Sequence, residues 1–242
     1  MCQLKSGIIL KNRVFVPEYD SHTEMLGELG IKDDYLNASK TFVRVELSPA
    51  NGDVFSDIDT WKLTVDQDIT PEWYDENIYK PQVVEAVKEW AKTHIHIGVD
   101  DLKIATGRNH YIKDCKDVQI CNNATVKHIY GNATVECICG NATVECICGN
   151  ATVECIRGSA TVKRICDNAT VKRICDSATV KRICGNATVK TVKGTAVIIG
   201  SEYGWNKKDT LVLTENATFK DCQSKTICQS GNWKLVSVTE EK

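Results

Sequence analysis

The residues best equipped for chemistry are cysteines. Cys137 and Cys139 recur nine residues later as Cys146 and Cys148, and the chain holds 13 cysteines in all. A Cys-x-Cys pair sets two sulfurs on one side of an extended strand, which suits thiolate metal binding. Tetrahedral zinc needs a closed set of four ligands, however, and a regular ladder of like copies rarely supplies one. Inert stacked thiols are the favoured reading. Metal binding, with Cys137, Cys139, Cys146 and Cys148 as candidates, stands behind it, and redox chemistry behind that. A second grouping, His94-Ile95-His96 with Asp100 and Asp101, resembles a metal pair on a strand. Spacing places no third strong ligand beside it, so a structural or solvated role is favoured. The chain has no P-loop, nucleophile elbow or HExxH, and so no catalytic residues are assigned.

Charge is the more specific signal. Residues 132–158 carry Glu136, Glu145 and Glu154 against Arg157, a net −2. Residues 159–194 carry Lys163, Arg164, Lys172, Arg173, Lys181, Arg182, Lys190 and Lys193 against Asp167 and Asp176, a net +6. Stacking turns this into a basic patch beside an acidic one. A basic patch attracts phosphate backbones, but the interleaved aromatics of single-strand binders are missing. A solvated face that keeps the molecule soluble, or opposite ends that pair between molecules, explains the same charges.

These residues sit in a nine-residue repeat. In register from Asn123 the chain reads NATVKHIYG, NATVECICG, NATVECICG, NATVECIRG, SATVKRICD, NATVKRICD, SATVKRICG and NATVKTVKG, eight copies ending at Gly194. Worn copies flank them at Val118–Asn122 and Thr195–Gly200, with an isolated one at Asn216–Phe219. So short a period implies a β-solenoid. Positions 2, 4 and 7 (Ala, Val, and Ile or Val) carry no charge and must face inward, while Thr alternates with them as a strand requires. The step from 4 to 7 breaks the alternation, so a bend or bulge is expected near positions 5 and 6. Gly or Asp at 9, followed by Asn or Ser at 1, makes the corners.

Two copies per coil give a flattened two-faced roll; three give a triangular coil. Two is preferred because a core of small Ala and single Val and Ile residues should be thin. The eight copies then make four coils and Cys148, Cys166 and Cys184 form one file. The calcium β-roll uses GGxGxD, whose carboxylates hold the ion; six of the eight corners here have none, Asp167 and Asp176 being the exceptions. The seven Asn-Ala-Thr triplets match the glycosylation sequon, but read as corner residues. Ranks of Thr resemble ice-binding faces, except that the residue two along is Lys or Glu.

The expected organisation is a mainly β chain: a small α+β domain over 1–104, a solenoid of either hand over 105–200 and a β cap over 201–242. In the first part, strands are expected at Ile8–Val16, Thr41–Leu47 and Trp61–Val65, with Ala50–Asp53 a hairpin turn. Helices are expected at Glu24–Leu29, capped by Ser21 and ended by Gly30, and at Pro81–His94. This domain could also cover the solenoid's first coil, whose open edge needs protection. In the last part, strands are expected at Thr210–Leu213 and Trp233–Val238, with Trp205 and Trp233 covering the last coil. No apolar run approaches a membrane span, and Ile8–Leu10 is too short for a signal-peptide core. Free thiols, a cytoplasmic location and no membrane partner follow as expectations.

The segments GIILKNRVFVPEYDSH, WKLTVDQDITPEWY, VVEAVKEWAK and HYIKDC, with the [NS]ATVxxIx[GD] array, resemble nonapeptide-repeat proteins of gut Firmicutes and their phages. The resemblance spans nearly the whole chain and brings neither an activity nor functional residues. Variable repeat number in such proteins implies a spacer or an interaction surface. The expected function is a non-enzymatic scaffold or protein-interaction module without a cofactor. It could be a phage or mobile-element inhibitor of a host system, by analogy with other charged solenoids. Nucleic-acid binding through the basic half and metal-thiolate binding are the alternatives. Homo-oligomers through the solenoid ends or edges fit the same pattern.

Overall fold

The computed structural model describes residues 4–206, 211–222 and 225–230. It is mainly β, with 42% strand and 15% helix. The chain divides into two compact units after His96.

The first unit is built on an antiparallel sheet in the order β2-β1-β3-β4, from β1 (Lys5–Leu10), β2 (Arg13–Phe15), β3 (Phe42–Ser48) and β4 (Lys62–Val65). The single strand expected over Ile8–Val16 is a hairpin, because Leu10 pairs with Arg13 across a turn at Lys11-Asn12. Helix α1 (His22–Glu28) starts at Ser21, whose hydroxyl accepts from the Glu24 amide at 3.3 Å. A short helix, α2 (Tyr35–Ala38), precedes β3. Helix α3 runs from Glu76 to His94, beginning before the Pro81 start expected from sequence. Asp75 supplies the cap, accepting from the Asn77 amide at 2.9 Å. Pro81 is tolerated inside because Tyr79, Val83, Val84, Val87, Trp90 and Ala91 are buried along one side. That burial outweighs the lost hydrogen bond.

The second unit is the solenoid. Strands of odd-numbered copies, Thr125–Tyr130, Thr143–Ile147, Thr161–Ile165 and Thr179–Gly185, pair in parallel, with Val126 on Val144, Val144 on Val162 and Val162 on Val180. Even-numbered copies, Thr134–Ile138, Thr152–Ile156, Thr170–Ile174 and Thr188–Val192, pair likewise. Each partner lies two copies away, so two repeats close one coil. The result is a nine-stranded and a seven-stranded sheet on one shared core. The Ala, Val and Ile or Val of positions 2, 4 and 7 are 0–1% exposed from Ala124 to Val192. Ladder partners at positions 3, 4, 6 and 7 are in register, whereas position 5 has none, for example Glu145 between Val144 and Cys146. The backbone bends there, and two successive side chains, 5 and 6, face outward.

The corners explain the Gly-or-Asp rule. All eight position-9 residues, from Gly131 to Gly194, have φ between +57° and +72°. A Cβ on Gly140 would lie 2.8 Å from the Asn122 amide nitrogen of the preceding coil. Asp167 and Asp176 adopt the same backbone, and their carboxylates accept from the Gly149 and Gly158 amides at 3.1 and 3.0 Å. Position-1 asparagines stack amide to amide at 3.4 Å, Asn123 with Asn141 and Asn132 with Asn150.

Worn copies continue the stack to about seven turns. Before the array, strands Lys103–Ile104, His110–Lys113 and Val118–Ile120 join the sheets. After it, Val197 and Ile198 pair with Thr218 and Phe219, so the isolated Asn216–Phe219 copy takes its place in the ladder. Trp205 is buried, donating its indole N–H to the Ala187 carbonyl at 2.7 Å and meeting Phe219 edge-on. The strand expected from Thr210 is Val212–Leu213. The expected strand Trp233–Val238, with Trp233, lies outside the described residues. Among the described residues, no helix is long and apolar enough to cross a membrane.

Candidate functional site

Two copies per coil decide which side chains meet. The two sheets back onto one core, so their outer faces point in opposite directions. On the nine-stranded sheet, position 6 forms the column Tyr111, His128, Cys146, Arg164. On the seven-stranded sheet the column is Gln119, Cys137, Cys155, Arg173, Thr191.

The basic residues are therefore divided. Lys163, Arg164, Lys181 and Arg182 lie on the nine-stranded face, while Lys172, Arg173 and Lys190 lie on the seven-stranded one with Lys193 at its corner. A single basic patch does not form. The acidic copies neutralise part of each group, since Glu145 binds both Lys127 and Lys163 at 3.0 Å and Glu154 binds Lys172 at 2.5 Å. Burial pushes the Glu145 carboxyl up, but the two lysines outweigh it and hold it below the usual carboxylate range. Among the described residues, Lys181, Arg182, Lys190 and Lys193 make no ion pair. An open depression of about 430 Å³ on the nine-stranded face is lined by His128, Glu145, Cys146, Lys163, Arg164, Lys181 and Arg182.

The cysteines are divided in the same way. Cys137 and Cys139 lie on the seven-stranded side and Cys146 and Cys148 on the other, so the four do not form one site. All twelve described cysteines are free thiols. Their closest sulfur contacts run diagonally, from position 6 of one coil to position 8 of the next. Cys146 Sγ is 3.7 Å from Cys166 Sγ, and Cys155 Sγ is 3.6 Å from Cys175 Sγ. The straight file Cys148–Cys166–Cys184 expected from the period exists, but the diagonal carries the tightest contact. The bulge at positions 5 and 6 turns the position-6 side chain outward toward the corner, and the period alone does not contain this.

One cluster stands out. Ligand atoms of His128, Cys146 and Cys148 all lie within 4.8 Å of one another, and those of Cys148, Cys166 and Asp167 do so too. The 3.7 Å contact between Cys146 and Cys166 joins the two triads through their thiols, while His128 and Cys166 share no group. Cys146 and Cys148 are buried, His128 and Cys166 half-buried. The three thiols titrate as a set. Hydrogen bonds from Cys148 and Cys166 hold the Cys146 thiol far below its ordinary value, with His128 and Arg164 adding to them against burial. Sharing its proton with Cys146 pushes Cys148 up to about 12, and Cys166 also rises. Tyr111 stacks on the His128 ring at 5.8 Å with 13° between planes, which orients the imidazole.

Among the described residues, the seven-stranded face has no equivalent cluster. There Arg157 replaces the cysteine of position 8, and its Nε donates to Cys137 Sγ at 3.2 Å. The Cys155 thiol is pushed up to about 12 by burial and by Cys175. In the first unit, His94 is buried against Trp90, ring to ring at 4.8 Å, with Nδ1 2.9 Å from the Trp90 carbonyl. It is a packed core histidine. His22, Glu46 and Asp66 also approach one another, but both His22 nitrogens are engaged, by the Val45 carbonyl at 3.1 Å and Asp66 at 3.2 Å. Comparison with protein-family models, curated proteins and solved structures returned no match.

Proposed function

We propose that the protein is a non-enzymatic interaction module that offers a rigid cationic face to an acidic protein surface. The observation that carries this reading is the nine-stranded face, where Arg164, Lys181 and Arg182 stand on consecutive coils around an open depression of about 430 Å³. In-register stacking holds these cations at fixed spacing without any further ordering. A preformed charged surface favours fast, selective association more than raw affinity. The Glu-bearing copies support the same reading, because they consume Lys163 and Lys172 and confine the uncompensated charge to the later coils. Division of the cations between two faces weighs against a phosphate backbone as partner, since few charges then meet any one strand.

The test is affinity capture with the intact chain and with a Lys181→Glu/Arg182→Glu variant, alongside a mobility shift with duplex DNA and single-stranded RNA at low salt. The expected result is an acidic protein held by the wild type, lost at raised salt, and retained at least about tenfold less by the variant. Capture that ignores the variant overturns the reading. A nucleic-acid shift abolished by the same substitutions would replace it with phosphate binding.

A further inference from the structure

We propose that His128, Cys146, Cys148 and Cys166 form a zinc site that ties three successive coils of the nine-stranded sheet together. The argument is geometric first. A tetrahedron with metal–sulfur bonds of about 2.3 Å has sulfur–sulfur edges of about 3.8 Å. The Cys146–Cys166 separation is 3.7 Å, so that edge is already in place. The triad His128, Cys146 and Cys148 lies within a 4.8 Å sphere of mutual distances, and Cys148 and Cys166 share another such group. His128 and Cys166 share neither group, so closing the set requires the Cys166 thiol and the imidazole to turn toward each other. Cys148 donates to the Ile129 carbonyl at 3.7 Å, a weak bond given up together with its proton. Three sulfurs and one imidazole form the ligand set of a closed structural zinc site.

The surroundings also fit. Zinc with three thiolates and a neutral imidazole carries a net negative charge. Arg164 lies beside the Cys146 sulfur, and Lys163, Lys181 and Arg182 line the same depression. Asp167 is an outer neighbour, its carboxylate held by the Gly149 amide at 3.1 Å. Tyr111 fixes the plane of the His128 ring. Metal binding releases the thiol protons, so affinity should rise with pH.

The cluster is also unique in the array. It needs His at position 6 of the first copy, Cys at positions 6 and 8 of the third, and Cys at position 8 of the fifth. The array meets that condition once, at His128, Cys146, Cys148 and Cys166. On the opposite face Arg157 breaks the corresponding set and leaves Cys155 and Cys175 as a pair. That pair is a built-in control. The site shares its depression with the cations proposed to meet a partner, and the metal titration and the capture experiment test the two readings separately.

The experiment is an anaerobic titration of the intact chain, fully reduced and metal-free by thiol count, with Co²⁺ and then Zn²⁺. One equivalent of Co²⁺ should bind with the visible bands of a tetrahedral sulfur-rich site, and Zn²⁺ should bleach them. Cys166→Ser and His128→Ala should each weaken binding at least about 100-fold, more than loss of an outer partner costs. Cys155→Ser/Cys175→Ser should leave stoichiometry and spectrum unchanged. The wild-type titration stands even where a variant fails to fold. Absence of tetrahedral thiolate bands at one equivalent overturns the proposal. So do bands that survive Cys146→Ser/Cys166→Ser, or that vanish in Cys155→Ser/Cys175→Ser.

Discussion

Lys5 shows how much one side chain can matter outside the repeat. Its ammonium is fully buried, 2.7 Å from Asp20, 3.1 Å from the Tyr19 carbonyl and 5.0 Å above the Trp90 ring. Lys5→Met should cost about 3 kcal/mol in urea unfolding, the low end for breaking a buried pair, because Asp20 keeps some solvent access. His94, nearby in the sequence of contacts through Trp90, sets a pH dependence. Burial holds its pKa below the ordinary 6.5, although the Trp90 carbonyl pulls the other way. The unfolded chain therefore takes up the proton first. Stability should be constant well above pH 6.5 and fall as pH drops from there toward the lowered folded value. His94→Gln should flatten that slope in denaturant midpoints measured across the window. Lys5 lies in an ordinary polar run, and its role was not legible in the sequence. For His94 a structural or solvated role was already favoured over a ligand pair with His96, and α3 decides it by turning the ring against Trp90.

The corner is the decisive element of each copy. Gly140→Ala combines a φ of +68° with a Cβ 2.8 Å from the Asn122 amide nitrogen, so it should cost about 1–3 kcal/mol in thermal or chemical unfolding. Asp167→Ala keeps the left-handed backbone strained and deletes the hydrogen bond to Gly149. It should lose about 1–2 kcal/mol, whereas Asp167→Gly should lose less, since glycine removes the strain. The strand is more forgiving at positions 5 and 6, which vary from Glu-Cys to Lys-Arg without disturbing the Val and Ile core. The corner rule and the inward positions were readable from the sequence because each is set within one copy. The start of α3 was not, because Pro81 signals a helix beginning and only the buried stripe overrides it.

At the scale of the molecule, phase is what the coil conserves. Deleting residues 168–185, two copies, removes one coil and returns every later strand to its own sheet. The shortened chain should keep its strand content and the His128–Cys166 cluster. Deleting residues 132–140, one copy, moves everything after it to the opposite sheet. The Ala, Val and Ile positions still point inward, so the solenoid should fold, but His128 and Cys146 part company. Circular dichroism of both variants, with the cobalt titration, reads the two effects separately. If zinc binds the folded chain alone, free metal at about 100 times its Kd should add about 2.7 kcal/mol to stability.

The sequence by itself determined the solenoid, its inward residues and its corners, because a nine-residue period writes the same local instruction into every copy. The thinness of an Ala-Val-Ile core also pointed to two copies per coil. Only the tertiary structure decided which copies share a face. Alternation between two sheets separates neighbours in sequence, so the apparent single basic patch becomes two and Cys137 parts from Cys146. The same alternation, with the bulge at positions 5 and 6, brings Cys146 to Cys166 across a coil boundary. The cysteine pairs that first drew the eye as Cys-x-Cys act across coils, because stacking, and not sequence distance, sets which sulfurs touch.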